Sequence, residues 1–319
     1  MNFYVDPRFE PAASQGEQAA IVSIQPDGMT ELIRWLDPLK DNNEVLAALE
    51  EFQRRSHVHR HTPQPLECLE QGRRVAAAYM MLLGARVAAV AGLRAVESHT
   101  LSAAEVLNRL VTEVRSQGVI QIQAILDGTD SVANEIVQLA GFVPLAELKQ
   151  LVLTLDRGRA EEVLPTDALP DARWILAREL TRDELTSLFS STFIETLDCP
   201  ALDGLRSVED VLEGFLDGQL LADQDAWWVL QHQEKQVGCV LVNHLPSGAT
   251  ELVYMGLRPS ARGRGLGRLL LAKGIAAAQQ FGSELFAAAV DCGNWPAIRL
   301  YMQAGFQEHG RVQAWFHRP

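Results

Sequence analysis

The sequence predicts an α/β protein built as two tandem copies of one fold, each a mixed sheet carrying helices. Three observations lead there. The 319 residues are about twice the usual size of a single domain. Gly92-Leu93-Arg94 recurs as Gly256-Leu257-Arg258, and the same offset of 164 runs without a gap to Ala140-Gly141-Phe142 and Ala304-Gly305-Phe306. Over residues 92–142 that offset gives eleven identities, where average residue usage would give about three or four. Finally, strand-like runs come first in the pattern and then alternate with helices, which implies antiparallel pairing early and parallel pairing late.

Taken along the chain, the elements are these. Residues 75–93 form an Ala-rich, almost uncharged stretch, but Gly84-Ala85-Arg86 divides it into two strand-length runs. A buried hairpin is therefore expected there, not a membrane-crossing helix. Residues 148–155 read as a strand, and 156–171, with Asp156-Arg157-Gly158-Arg159, Pro165 and Pro170, as a polar linker between residues 1–155 and 172–319. In the second copy, 174–177 is a strand, and 181–191 is a helix opened by Thr181 with Glu184 three residues on. Residues 208–216 form a helix, 227–231 and 237–243 a hairpin, and 251–257 a strand. A long helix over 265–281 stops at Gly282, followed by a strand over 285–290, a helix over 296–304 and a last strand over 311–316.

Composition narrows the function. Hydrophobic residues make up 47% and charged residues 22%, proportions of a soluble globular chain. A net charge of -13 opposes binding to nucleic acid or to anionic membranes and favours a cationic or neutral partner. The four cysteines, Cys68, Cys199, Cys239 and Cys292, contain no CxxC pair, so neither a disulfide framework nor a metal site is expected. Free thiols and a first segment without an apolar core suit a cytoplasmic protein.

One loop stands apart from this acidic background. Arg262-Gly263-Arg264-Gly265-Leu266-Gly267 lies between a strand and a helix, where glycines let successive amide groups converge on one point. Such a nest at a helix start binds phosphate; the same composition also serves in purely structural turns. From Arg258 to Lys273 there are four arginines, one lysine and no acid, a local field suited to a polyanion. No Lys-Ser or Lys-Thr follows, and the spacing is not that of a dinucleotide fold.

With Asn294, Ala297, Leu300-Tyr301 and Gly305-Phe306 following at helical spacing, the second copy resembles the GNAT superfamily of acyl-CoA-dependent N-acetyltransferases. That family's loop signature is met by Arg262, Gly265 and Gly267, and its later motif by Asn294, Ala297, Leu300-Tyr301 and Gly305-Phe306. The resemblance implies that acetyl-CoA is the acyl donor and that no metal takes part. It further implies that main-chain groups around Met255, Gly256 and Leu257 pair with the pantetheine arm, and that amides from Arg262 through Gly263, Arg264, Gly265 and Leu266 to Gly267 hold the pyrophosphate, with Asn294 nearby. Tyr301 would protonate the leaving thiolate or merely pack. Glu251, six residues before Leu257 and hence expected on the same strand face, would be the general base or a solvent-facing glutamate. His244 reads as an ordinary surface histidine.

At the repeat offset the first copy has Ser98, Leu101 and Ala103 for Arg262, Gly265 and Gly267, Asp130 for Asn294 and Val137 for Tyr301. It is therefore expected to be a degenerate, non-catalytic GNAT fold. Tandem architecture with a degenerate first copy is similar to that of the mycothiol synthase family, a likeness that does not extend to acceptor-site residues. The expected acceptor is a small-molecule primary amine, an aminosugar conjugate or a basic peptide end. Residues 195–225 hold nine acids and only Arg206, which would attract such a cation or simply form solvated helix faces. Of Trp227 and Trp228, one is expected in the core and the other in the acceptor cleft. A non-catalytic acyl-CoA sensor or scaffold is the competing expectation. Oligomeric state is not readable from the sequence.

Overall fold

The computed structural model describes residues 19–58, 62–84, 86–155, 172–202, 204–205, 207–218, 226–245 and 248–318. The linker expected over 156–171 lies outside the described residues. The elements run β1 (Ala20–Ser23), α1 (Met29–Leu36), α2 (Asn42–Val58), β2 (Leu66–Glu70), β3 (Arg73–Gly84), β4 (Val87–Ala95), α3 (Thr100–Ser116), β5 (Gln121–Asp127), α4 (Ser131–Leu139) and β6 (Phe142–Thr154). The second half repeats them as β7 (Ala172–Leu176), α5 (Arg182–Phe193), α6 (Val208–Gly218), β8 (Trp227–His232), β9 (Lys235–His244), β10 (Thr250–Leu257), α7 (Leu266–Gln280), β11 (Leu285–Asp291), α8 (Trp295–Gln303) and β12 (Gln307–His317). At the offset of 164, β5 falls on β11 and α4 on α8 without a residue of slippage.

Some of the identities that survive between the copies are core residues, such as Leu107 and Leu271 or Phe142 and Phe306, and others are turn residues. Gly118 and Gly282 follow α3 and α7 at φ 89° and 72°, and Gly141 and Gly305 follow α4 and α8 at φ 83° and 96°, left-handed positions that glycine occupies without strain. Asp127 accepts the amide of Thr129 at 2.8 Å and Asp291 that of Gly293 at 2.7 Å, the same two-residue turn in each copy. Asp130 and Asn294 cap α4 and α8 by accepting from Ala133 and Ala297. The Thr181 and Glu184 capping box expected for α5 is present, with the Thr181 amide donating to Glu184 Oε2 at 2.8 Å.

The Ala-rich stretch is the hairpin β3–β4. Ala76, Ala77 and Ala78 are all completely buried because α3 covers one face of β3 and α1 and α2 the other. A strand buried on both faces reads as an unbroken apolar run. Among the described residues no helix is long and apolar enough to cross a membrane.

All twelve strands form one sheet in the order β1-β2-β3-β4-β5-β12-β6-β11-β10-β9-β8-β7. The central pair is exchanged. β12 pairs with β5 of the first half, while β6 pairs with β11 of the second, and the two are antiparallel to each other from Gln307–Val152 to His317–Phe142. Their side chains follow. Trp315 of β12 is buried among the first-half residues Leu107, Ile122 and Ile136, whereas Leu151 and Leu153 of β6 are buried among Leu270, Phe286 and Phe306. Sequence periodicity finds both strands but not this exchange.

In the second half, α7 and α8 cover one face of the sheet through Leu266, Leu270, Ile275 and Tyr301, and α5 and α6 cover the other through Leu188, Phe189 and Leu212. Residues 172–319 expressed alone would expose the edge of β11 that β6 covers. They are expected to aggregate or to unfold without cooperativity, and to co-purify as a folded pair when co-expressed with residues 1–155. A monomeric, cooperatively unfolding 172–319 fragment, tested by size-exclusion chromatography and thermal melting, is the contrary result.

Candidate active site

The parallel pair β10–β11 holds together only at its start. Thr250, Glu251 and Leu252 pair with Phe286, Ala287 and Ala288, and there the pairing stops. Beyond it, the register of β10 against β9 slips between Leu252 and Tyr254, a bulge that bends the strand away. The strands splay into a cleft of about 210 Å³, lined by Tyr254, Met255, Gly256 and Leu257 on one side and by Ala289, Val290, Asn294 and Tyr301 on the other. Met255, Gly256 and Leu257 edge this opening.

Just past the cleft the chain turns through Gly263 at φ 71° and Gly265 at φ 80°, and Gly265 begins α7. Any side chain at either position would enter open space, so it is the left-handed backbone that calls for glycine there. The third glycine has a different reason. A Cβ on Gly267 would lie 3.3 Å from the side chain of Leu300, so its absence lets the start of α7 pack closely against α8. Among the described residues, no acceptor is present for the amides of Gly263, Arg264, Gly265, Leu266 and Gly267. Five consecutive free donors at the positive end of a fifteen-residue helix form an anion-binding nest.

Arg262 differs from the expectation. Its amide already donates to the Pro259 carbonyl at 3.2 Å. Its guanidinium donates to the carbonyls of Leu257, Thr192, Ile194 and Glu195 at 2.7–3.1 Å. Arg262 thus fastens the carboxyl end of α5 to the end of β10 and has no donor on its main chain left for phosphate. Removing it leaves four carbonyls without this partner, so Arg262→Ala is expected to cost about 2 kcal/mol in urea unfolding and to speed amide hydrogen exchange over residues 192–196. Unchanged exchange there would contradict the strut role.

Tyr301 is buried against Phe306, at 5.4 Å between ring centroids, with its hydroxyl bonded to none of the described residues and facing the cleft. Burial, reinforced by the Asp198 carboxylate, pushes its phenol above the ordinary range, so it stays protonated. Asn294 lines the cleft, and its side chain is engaged in capping α8.

Glu251 is placed otherwise than its spacing suggested. Because the bulge reverses the alternation, Met255 and Leu257 pack with the α7 face while Val253 and Tyr254 pack with the α5–α6 face. Glu251 alternates with Leu252 of the α7 face and so shares the face of Tyr254, not that of Leu257. Its side chain keeps a path to solvent but does not line the cleft. Surrounding protein nevertheless desolvates the carboxyl and raises it above the usual carboxylate range.

Sequence patterns did not single out Tyr254 or Thr192, and reached Asp198 only as one member of the acidic run. Tyr254 packs among Phe189, Phe193 and Phe215 at centroid distances of 5.3–5.7 Å and bonds Thr192 Oγ1 at 2.8 Å. Its hydroxyl lies where a Cβ on Gly256 would be, 2.4 Å away, and a glycine inside a strand two residues after a tyrosine was the available signal. Asp198 sits in a loop with Glu195 at φ 54° and Cys199 at φ 46°. That loop is pinned to the end of β11, where Asp198 accepts the Asp291 amide at 2.9 Å and Asp291 accepts the Cys199 amide at 3.0 Å.

Other expected features lie elsewhere. Trp227 is core and donates to Asn243 Oδ1, but Trp228 does not line the cleft, because Lys273 of α7 covers its ring at 3.6 Å. His244 stacks on Phe281 away from the cleft. Of the acidic run, Glu195 and Asp198 line the cleft, whereas Asp210 pairs with Arg86 and Glu213 with Arg182. Asp203, Arg206, Asp223 and Asp225 lie outside the described residues. In the first half, Thr100 and Leu101 are already helical where the second half has Arg264 and Gly265, and Leu101 is 71% exposed. The helix begins two residues early, and the loop that forms the nest is replaced by its first turn.

A splayed parallel pair beside an amide nest at the following helix is the arrangement that the resemblance to the GNAT superfamily implies. Residues 184–306 match the sequence model of the Acetyltransferase (GNAT) family. Among curated proteins, the chain is similar to mycothiol acetyltransferases. It is 26% identical to that of Renibacterium salmoninarum over 197 residues, covering 60% of this chain and 56% of that protein. With that of Arthrobacter sp. (strain FB24) it shares 28% over 206 residues, covering 63% and 62%. The matches thus span less than two thirds of these relatives. Among solved structures, a GCN5-related N-acetyltransferase from Sphaerobacter thermophilus superposes with TM-score 0.66 at 17% identity over 94% of this chain and 96% of that one. A tandem GNAT protein from the clavulanic acid biosynthesis pathway does so with TM-score 0.54 at 16% identity over 94% and 98%. At those identities the likeness is one of fold, and it extends over both halves.

Proposed function

We propose that the protein is an acetyl-CoA-dependent N-acetyltransferase that moves an acetyl group to a small primary amine, with the transferase domain in residues 172–319 and a degenerate GNAT domain in residues 1–155. The observation that carries this reading is the proximity of three features: free main-chain groups on a splayed strand and a buried phenol with no partner among the described residues, both at one cleft, and a five-amide nest in the loop just past it. Acetyl-CoA would supply a thioester, whose carbonyl carbon is open to attack by an amine. Met255 and Leu257 would pair with its pantetheine arm in the manner of an added strand, and the amides of Gly263 to Gly267 would bind its pyrophosphate.

Within this reading each residue has a defined task. Tyr301, held protonated by burial, provides the proton for the departing thiolate. Glu251 is the base that takes the amine proton through water, from the same sheet face as Tyr254. The acidic side chains Glu195 and Asp198 at the cleft favour a cationic acceptor. The similarity to mycothiol acetyltransferases supports an aminosugar conjugate as one acceptor to test.

Tyr301→Phe is expected to lower kcat at least about tenfold while leaving the acetyl-CoA Kd unchanged, measured by release of free thiol and by calorimetry. Equal turnover in the variant would remove Tyr301 from the reaction. Gly265→Leu, which copies Leu101 of the first half, is expected to weaken acetyl-CoA binding more than about tenfold through loss of the nest. As a base, Glu251 must be ionised, so kcat/KM should rise with pH through a value above the ordinary carboxylate range. That limb should vanish in Glu251→Gln, and a limb that persists assigns the base elsewhere.

A further inference from the structure

The two tyrosines of the cleft approach it from opposite faces of the sheet. Tyr301 belongs to the α7–α8 side and Tyr254 to the α5–α6 side. Their hydroxyls also differ in what they can offer. Thr192 Oγ1 stands 2.9 Å from the Phe189 carbonyl and 2.8 Å from the Tyr254 hydroxyl. A carbonyl oxygen only accepts, so the single hydroxyl proton of Thr192 goes to Phe189, and the bond between Thr192 and Tyr254 must use the tyrosine's proton. Tyr254 has then spent its donor and turns only lone pairs toward the cleft. Tyr301, by contrast, keeps its proton for a ligand.

The Tyr254 hydroxyl is fixed as well as polarised. Three phenylalanines hold its ring, Gly256 leaves room for its oxygen beside the strand, and Arg262 clamps the Thr192 carbonyl at 2.9 Å. We propose that Tyr254 is the hydrogen-bond acceptor that orients the attacking amine, by taking one N–H so that the nitrogen lone pair points into the cleft, and that Thr192 is the positioning residue that fixes the tyrosine in that sense. This rests on the acetyltransfer reading and deepens it by naming the group that meets the acceptor. It explains why donor and acceptor hydroxyls sit on opposite faces: the nucleophile enters over one and the thiolate leaves toward the other. It adds no covalent step.

The test uses the full chain saturated with CoA, titrated calorimetrically with spermidine and with glucosamine, alongside steady-state acetyl transfer to the same amines. Tyr254→Phe keeps the ring and is expected to raise the amine Kd and KM about tenfold, the size of one hydrogen bond, with the CoA Kd unchanged and kcat within about threefold. Thr192→Val leaves the tyrosine intact but frees its proton, and is expected to shift amine binding in the same direction, with Thr192→Ser restoring it. The double variant should be no worse than Tyr254→Phe alone, because Thr192 acts through Tyr254. Wild-type amine binding in both single variants overturns the inference, as does CoA binding without binding of either amine. Absence of CoA binding to the wild-type chain overturns instead the reading on which it rests.

Discussion

Neither half of this molecule completes its own sheet. β12 fills the gap between β5 and β6, and β6 fills the gap between β11 and β12, so a single antiparallel pair closes both halves at once. Exchanged strands bring exchanged cores, with Trp315 buried in the first half and Leu151 and Leu153 in the second. The cleft depends on this arrangement. β11, one wall of the splayed pair, is held in place from its other edge by β6, along seven residue pairs from Leu285–Thr154 to Asp291–Leu148. A first copy with no nest of its own therefore still has a reason to be retained, since it supplies the strand that braces the working site.

Within the second half, opening the cleft requires a backbone that leaves its partner without fraying. The bulge after Leu252 bends β10 away, and Arg262 then ties the strand's end to the end of α5 through four carbonyls. The same bulge turns Tyr254 to the face opposite Met255 and Leu257. A single inserted residue thereby exposes main-chain groups along one edge and sets a hydroxyl on the α5–α6 face. Arg262 positions the start of the loop by hydrogen bonds to backbone carbonyls.

Much of this was legible in the sequence. The repeat fixed the correspondence of β5 with β11 and α4 with α8 because several of its surviving identities, Gly118, Asp127 and Gly141 among them, are turn residues whose backbone role is local. The nest was readable for the same reason, since left-handed turns leave glycines behind. What escaped was non-local. Strand exchange has no periodicity of its own, because β6 and β12 bury the same pattern whichever sheet they join. A bulge inverts side-chain alternation without any marker in composition, which is why Glu251 shares a face with Tyr254 and not with Leu257. The charge count did not resolve the acidic segment, in which Asp210 and Glu213 are engaged by Arg86 and Arg182 while Glu195 and Asp198 line the cleft.

We propose that one of the two copies holds the cofactor and that the other has lost the loop needed to do so. Titration calorimetry of the intact chain with acetyl-CoA measures this directly through its stoichiometry. One site per chain is the predicted result. Two equivalent sites would contradict the account of Leu101 and the early start of α3, and no binding at all would contradict the assignment of the nest between Gly263 and Gly267.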